Sequence, residues 1–108
     1  MNNKFSSLNA TEFEKAIVDV QTILLDARSS KEFATEHINN AINIDVSSPN
    51  FPNEAEARLP KNKLIAVYCK SGVRSQMAAT LLANRGFKTV YLNGGMSEWK
   101  RAGKATEM

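Results

Sequence analysis

The sequence predicts an α/β domain in which a parallel sheet is covered by helices on both faces. Three observations predict it. The hydrophobic pattern changes period several times along the chain, from short apolar runs to helical spacing and back. Predicted strands alternate with predicted helices, the order that parallel crossover connections require. Two of the runs, Thr22-Ile-Leu-Leu-Asp26 and Lys63-Leu-Ile-Ala-Val-Tyr68, are apolar almost throughout, as in strands buried on both sides.

The elements follow in order. Lys4 to Leu8 is a short first strand. Asn9 caps the next helix, with Glu12 in the reciprocal capping position and Leu8 and Phe13 placed as a hydrophobic staple. Phe13, Ala16, Ile17 and Val20 fall on one helical face. Thr22 to Asp26 is the second strand, ending in Asp-Ala-Arg-Ser-Ser. Ser29 caps a short helix, again with Glu32 three residues on. Ala41 to Asp45 is the third strand. Residues 47–60 hold all three prolines and read as a loop with one short helix over Glu54 to Arg58. Lys63 to Tyr68 is the fourth strand, followed by the polar turn Cys69-Lys-Ser-Gly-Val-Arg74 and a helix over Val73 to Arg85. Gly86 stands where that helix stops, with Phe87 able to reach back to Leu82. Thr89 to Leu92 is the fifth strand, and Asn93-Gly-Gly95 turns into a last helix carrying Met96 and Trp99. In parallel sheets of this kind ligands bind at the carboxyl ends of strands, where Asp26, Asp45 and Cys69 all fall.

Composition narrows the function. The chain has the size of one domain, with 43% hydrophobic and 23% charged residues, an ordinary globular balance. No apolar run approaches the length of a membrane helix. The first twenty residues show no apolar core of a signal peptide, so a reducing cytoplasm is the expected compartment. One cysteine excludes an intramolecular disulfide and any multi-cysteine zinc or iron–sulfur site; no metal or cofactor is expected. Residues 1–60 carry 5 basic and 9 acidic side chains, whereas residues 61–108 carry 9 basic and 2 acidic. The basic half suits an anionic partner. Without an aromatic-interleaved basic stripe, nucleic acid is not the expected one. No glycine-rich dinucleotide or phosphate-loop motif is present.

Cys69 is the candidate nucleophile. It leaves a buried strand and enters a tight turn just before a helix. The helix N-terminus offers unpaired N–H groups and partial positive charge. Lys70 and Arg74 add full charges, and Gly72 lets the backbone curl so that successive N–H groups point inward. Each effect favours thiolate over thiol, and the same cradle suits an anionic substrate. His37 is the single histidine. It follows a different strand, and a structural role is expected for it rather than that of a base. A thiolate working without a base needs an electrophile whose leaving group is already a stable anion; thiosulfate, losing sulfite, fits. Asp26 and Arg28 read as a buried ion pair. Arg74 has two readings, a substrate contact or a pair with a buried carboxylate such as Asp26.

Four segments together resemble the single-domain rhodanese (thiosulfate sulfurtransferase) family over residues 5–102, leaving 1–4 and 103–108 as terminal extensions. They are Leu24-Leu-Asp-Ala-Arg28 with Glu32-Phe33; His37-Ile38 with Ala41-Ile-Asn-Ile44; Tyr68-Cys-Lys-Ser-Gly-Val-Arg-Ser75; and Asn93-Gly-Gly with Trp99. The resemblance implies a rhodanese-like, five-stranded, mostly parallel sheet with helices on both faces. It implies that Cys69 carries sulfane sulfur as a persulfide between thiosulfate and cyanide or a thiol acceptor. The loop residues Lys70, Ser71, Gly72, Val73 and Arg74 would bind the substrate. Glu36 and Asn40 stand where the family often has glycine, and asparagine tolerates a left-handed turn. Two other functions share this site. One is a relay that delivers persulfide sulfur to a protein partner. The other is a rhodanese-like phosphatase or arsenate reductase, whose loops have five residues between cysteine and arginine where this one has four.

Overall fold

The computed structural model describes residues 5–108; Lys4 and the rest of 1–4 lie outside the described residues. The chain runs β1 (Phe5–Leu8), α1 (Ala10–Ile17), β2 (Thr22–Asp26), α2 (Ser30–Thr35), β3 (Ile42–Asn43), α3 (Phe51–Arg58), β4 (Leu64–Tyr68), α4 (Val73–Asn84), β5 (Lys88–Leu92) and α5 (Gly95–Arg101). The five strands form one sheet in the order β1-β5-β4-β2-β3, and every adjacent pair is parallel.

The alternation of side chains along β4 divides the core. Ile65 and Val67 face one layer, with Phe51 and Ala55 of α3, Leu59 just beyond it, and Ala78 and Leu82 of α4. Ala66 and Tyr68 face the other, with Ala10 and Phe13 of α1 and Met96 and Trp99 of α5. Strands with a core on both faces must be apolar at every position, which is why β2 and β4 are the most legible runs in the sequence. The chain leaves β2 towards β3 on one side and β4 towards β5 on the other. The crevice at the carboxyl ends of β2 and β4 is thus the topological switch point where parallel sheets bind ligands.

Both capping boxes form: Asn9 with Glu12 and Ser29 with Glu32. The C-terminus of α4 closes as a Schellman stop, Phe87 N–H donating to Leu82 O at 3.1 Å and Gly86 N–H to Ala83 O at 3.0 Å, with Gly86 at φ +92°.

Three elements differ from the sequence expectation. Helix α1 ends at Ile17, and Val20 is 81% exposed rather than on the buried face. Asp19 diverts the chain, its carboxylate accepting the N–H of Gln21 and its carbonyl that of Thr22; this side-chain turn competes with helix continuation. Helix α3 begins at Phe51 rather than Glu54, because Pro52 stands in its first turn, where the missing N–H has no helical partner to lose. Strand β3 pairs over two residues only, although Ile44 and Val46 still donate to the carbonyls of Asp26 and Ala27. Residues 103–108 fold back on the domain: the Trp99 indole N–H donates to Ala105 O at 2.9 Å, and Glu107 forms a two-residue bridge with His37. No described helix is long and apolar enough to cross a membrane.

Candidate active site

Cys69 sits at the end of the central strand β4 and exposes no surface. Its Sγ accepts the backbone N–H of Gly72 at 3.0 Å and of Ser75 at 3.1 Å. Its S–H points to Ser75 Oγ at 3.4 Å, and the Ser75 hydroxyl donates to Gly72 O at 3.1 Å. The N–H groups of Lys70, Ser71, Val73 and Arg74 find no protein acceptor among the described residues. The last two open α4, where helix geometry leaves them unpaired. The loop thus turns two backbone N–H groups onto one sulfur and leaves four more without a protein acceptor, the makings of an anion nest.

Two of the loop's carbonyls are held by the neighbouring helix. Cys69 O accepts from Met96 N–H at 2.7 Å and Lys70 O from Ser97 N–H at 3.0 Å, at the start of α5. Two glycines permit the approach. Gly72 has φ +103°, and a Cβ there would lie 3.1 Å from Gly94 N. Gly95 has φ +60°, and its Cβ would fall 2.6 Å from Cys69 O and from Lys70 C and O.

Of the loop residues picked out from the sequence, Cys69 and Gly72 are buried at its centre. Lys70, Ser71 and Val73 are exposed at its mouth. For Arg74 the pairing partner differs from the one expected. Its guanidinium is bound bidentately by Glu32, Nη1 to Oε1 at 2.8 Å and Nη2 to Oε2 at 3.0 Å, not by Asp26. Glu32 was already recruited as the reciprocal cap of α2, so the same carboxylate serves both helix starts. Asp26 is instead fully buried against Arg28, whose Nη2 donates to Oδ2 at 2.7 Å and whose Nε and backbone N–H donate to Oδ1 at 3.0 and 2.8 Å. Burial opposes the charge on Arg28, but the hydrogen bonds and charge of Asp26 outweigh it and raise its pKa. Arg28 also lies over the Tyr68 ring, and burial, then the nearby Asp26 charge, push the Tyr68 phenol up.

His37 is structural. Its ring stacks on Phe33 with centroids 3.9 Å apart. One nitrogen is bonded to Phe33 O and the other to Glu107, so it is not paired with Cys69. Asp45 bonds the N–H and hydroxyl of Ser47 in a turn. Asn40 adopts φ +75°, the left-handed turn that glycine would otherwise fill. Glu36 is engaged by Lys100 and Thr106, which lower its pKa in that order. Ser75 was missed as a site residue. Its signal was present: it is the third residue of the helix that starts directly after the cysteine turn, and its own N–H reaches the sulfur.

The Arg74–Glu32 pair gives the fold an acid-sensitive strut. Hydrogen bonds from Arg74, opposed by burial, lower the Glu32 carboxyl from 4.5 to about 2. A carboxyl depressed on folding stabilises above its unfolded pKa, and that contribution is lost as pH falls through the folded value. Stability should therefore decline between pH 4.5 and about 2. Glu32→Gln should lower stability at neutral pH by about 1–2 kcal/mol and shallow that acid decline, read by urea unfolding at stepped pH. An acid limb unchanged by the substitution would contradict this.

Fold and site together define an α/β domain that presents a single cysteine sulfur in a nest of backbone N–H groups at the end of its central strand. A family model described as Rhodanese-like domain matches residues 9–102, and the chain belongs to that family. Among solved structures it is similar to a rhodanese-related protein from Thermoplasma volcanium, with TM-score 0.81, 31% identity, and coverage of 94% of this chain and 96% of that one. A rhodanese-like domain protein from Staphylococcus aureus matches at TM-score 0.76 and 26% identity, over 87% of this chain and 90% of the other. Two curated relatives bear the name tRNA uridine(34) hydroxylase. That of Pelagibacter ubique (strain HTCC1062) is 32% identical over 98% of this chain and 36% of its own length. That of Onion yellows phytoplasma (strain OY-M) is 35% identical over 87% and 32%. The chain spans about a third of the length of these curated relatives.

Proposed function

We propose that the domain is a sulfurtransferase in which Cys69 takes the sulfane sulfur of thiosulfate and passes it to cyanide or a thiol, a protein thiol included. The Sγ thiolate attacks the sulfane sulfur, the S–S bond of thiosulfate breaks, and its electron pair leaves with sulfite. A nucleophilic acceptor then attacks the outer sulfur of the persulfide and returns the pair to Sγ. The two half-reactions make a ping-pong cycle that uses no cofactor or metal. The observation that carries the reading is a sulfur bonded by backbone N–H groups with no histidine or carboxylate in contact. That arrangement stabilises a sulfur anion and its persulfide but supplies no proton, and neither half-reaction needs one. The free N–H groups of Lys70, Ser71, Val73 and Arg74 would receive the outer sulfur. Arg74 acts through Glu32 as a positioning residue. Phosphate hydrolysis or arsenate reduction is less well supported, since the guanidinium that would clamp an oxyanion is occupied by both oxygens of Glu32.

The curated relatives favour a second reading, in which the domain contributes to hydroxylation of uridine in tRNA as part of a longer protein. Thiocyanate formation from thiosulfate and cyanide separates the two. The wild type should turn over and Cys69→Ser should fall to background. Absence of thiocyanate with the wild type, together with hydroxylated uridine appearing in added tRNA, would replace the first reading by the second.

A further inference from the structure

A cleft of about 410 Å³ opens beside the Cys69 loop, lined by Lys70, Met96 and Ser97 together with Lys31 of α2. It shares a wall with the active site, because the N–H groups of Met96 and Ser97 hold the carbonyls of Cys69 and Lys70. Its volume lies in the range of ordinary small-molecule pockets, about 300–1,000 Å³, and exceeds what thiosulfate would fill. Its charge is uneven. The carboxylates that line it are both engaged, Glu32 by Arg74 and Glu36 by Lys100, and Arg28 is committed to Asp26. Lys31 and Lys70 have no carboxylate partner among the described residues, and both are exposed. Lys31 also stands in the first turn of α2, where a cation opposes the helix dipole, so the helix itself gives no reason for it.

Resting on the sulfurtransferase reading, we infer that this cleft is the acceptor site and that it selects small thiols bearing carboxylates, with Lys31 as the specificity-determining residue. The acceptor's aliphatic body would lie along Met96 and its carboxylates would meet Lys31 and Lys70. Its thiolate attacks the outer sulfur of the Cys69 persulfide. A new S–S bond forms on the acceptor, the bond to Sγ breaks, and the electron pair stays on Sγ. The outer sulfur leaves on the acceptor as a persulfide anion, so no external oxidant, reductant or proton is needed.

The test uses the full chain, loaded with thiosulfate and freed of donor. Discharge of the persulfide is followed by intact mass with three probes: mercaptosuccinate, 2-mercaptoethanol and cysteamine. The wild-type rate divided by the Lys31→Glu rate is taken for each thiol, which cancels intrinsic thiol reactivity. Lys31 is exposed and its carbonyl, not its side chain, accepts from Thr35 Oγ1, so the variant keeps the fold; discharge is read only from the fraction that has loaded sulfur. The ratio should be about tenfold for mercaptosuccinate, near one for 2-mercaptoethanol and below one for cysteamine, and 0.5 M salt should erase the differences. Equal ratios for the three thiols, with loading intact, would overturn the cleft assignment alone and point to a protein or RNA acceptor. Failure of the wild type to load any sulfur would overturn the sulfurtransferase reading and this one with it.

Discussion

Gly95→Ala should destabilise the domain by roughly 3–5 kcal/mol and abolish sulfur loading even where the protein remains folded. Two effects add. The residue sits at φ +60°, a region that costs side-chain-bearing residues backbone strain. The new methyl group would also lie 2.6 Å from Cys69 O and from Lys70 C and O. Those neighbours are backbone and cannot rotate away, so either α5 or the Cys69 loop must move. Either movement breaks the bonds from Met96 and Ser97 that hold two of the loop carbonyls. Gly86→Ala is the control: its φ is also positive, at +92°, but nothing lies within 4 Å of the added Cβ. It should show the strain alone, about 1 kcal/mol, with loading unaffected. Urea midpoints and persulfide formation measured on both variants check this, and equal losses in the two would show that the close approach of α5 to the loop is unimportant.

Asp26→Asn should lower stability by about 3–5 kcal/mol. The carboxylate exposes no surface and Arg28 only 6%. Asparagine keeps the size and one acceptor oxygen but leaves a buried guanidinium without its counter-charge, with Glu36 O as the remaining acceptor at Nη2. The site should feel the change, because Ala27 N–H donates to Tyr68 O on the strand that delivers Cys69. Arg28→Met should cost a similar amount. The double variant should lose much less than the sum, a coupling above ~2 kcal/mol, since neither partner is then left charged and alone. Additive losses would mean that the pair is not the source of the stability.

The features legible in the sequence are those settled within a few residues of chain. The capping boxes at Asn9 and Ser29 and the helix stop at Gly86 depend on side chains three to five positions apart. The apolar runs of β2 and β4 follow from having a core on each face. Cys69 stood out because strand end, glycine turn and helix start are contiguous. What escaped the reading depends on partners distant in sequence or on small competing turns. Arg74 meets Glu32 across 42 positions, and nothing local distinguishes that carboxylate from Asp26. Val20 keeps helical spacing with Phe13, but the Asp19 turn removes it from the helix. The hold on the Cys69 loop comes from backbone N–H groups of α5, which leave no mark in residue type except the obligatory glycine at 95.

The measurement that tests the central claim most directly is the intact mass of the protein before and after thiosulfate. The chain has one cysteine, so any added sulfur is assigned without fragmentation. The account predicts a gain of one sulfur atom, removed by cyanide as thiocyanate appears in equal amount, and no gain in Cys69→Ser. A wild type whose mass does not change, or a serine variant that gains sulfur, would contradict it.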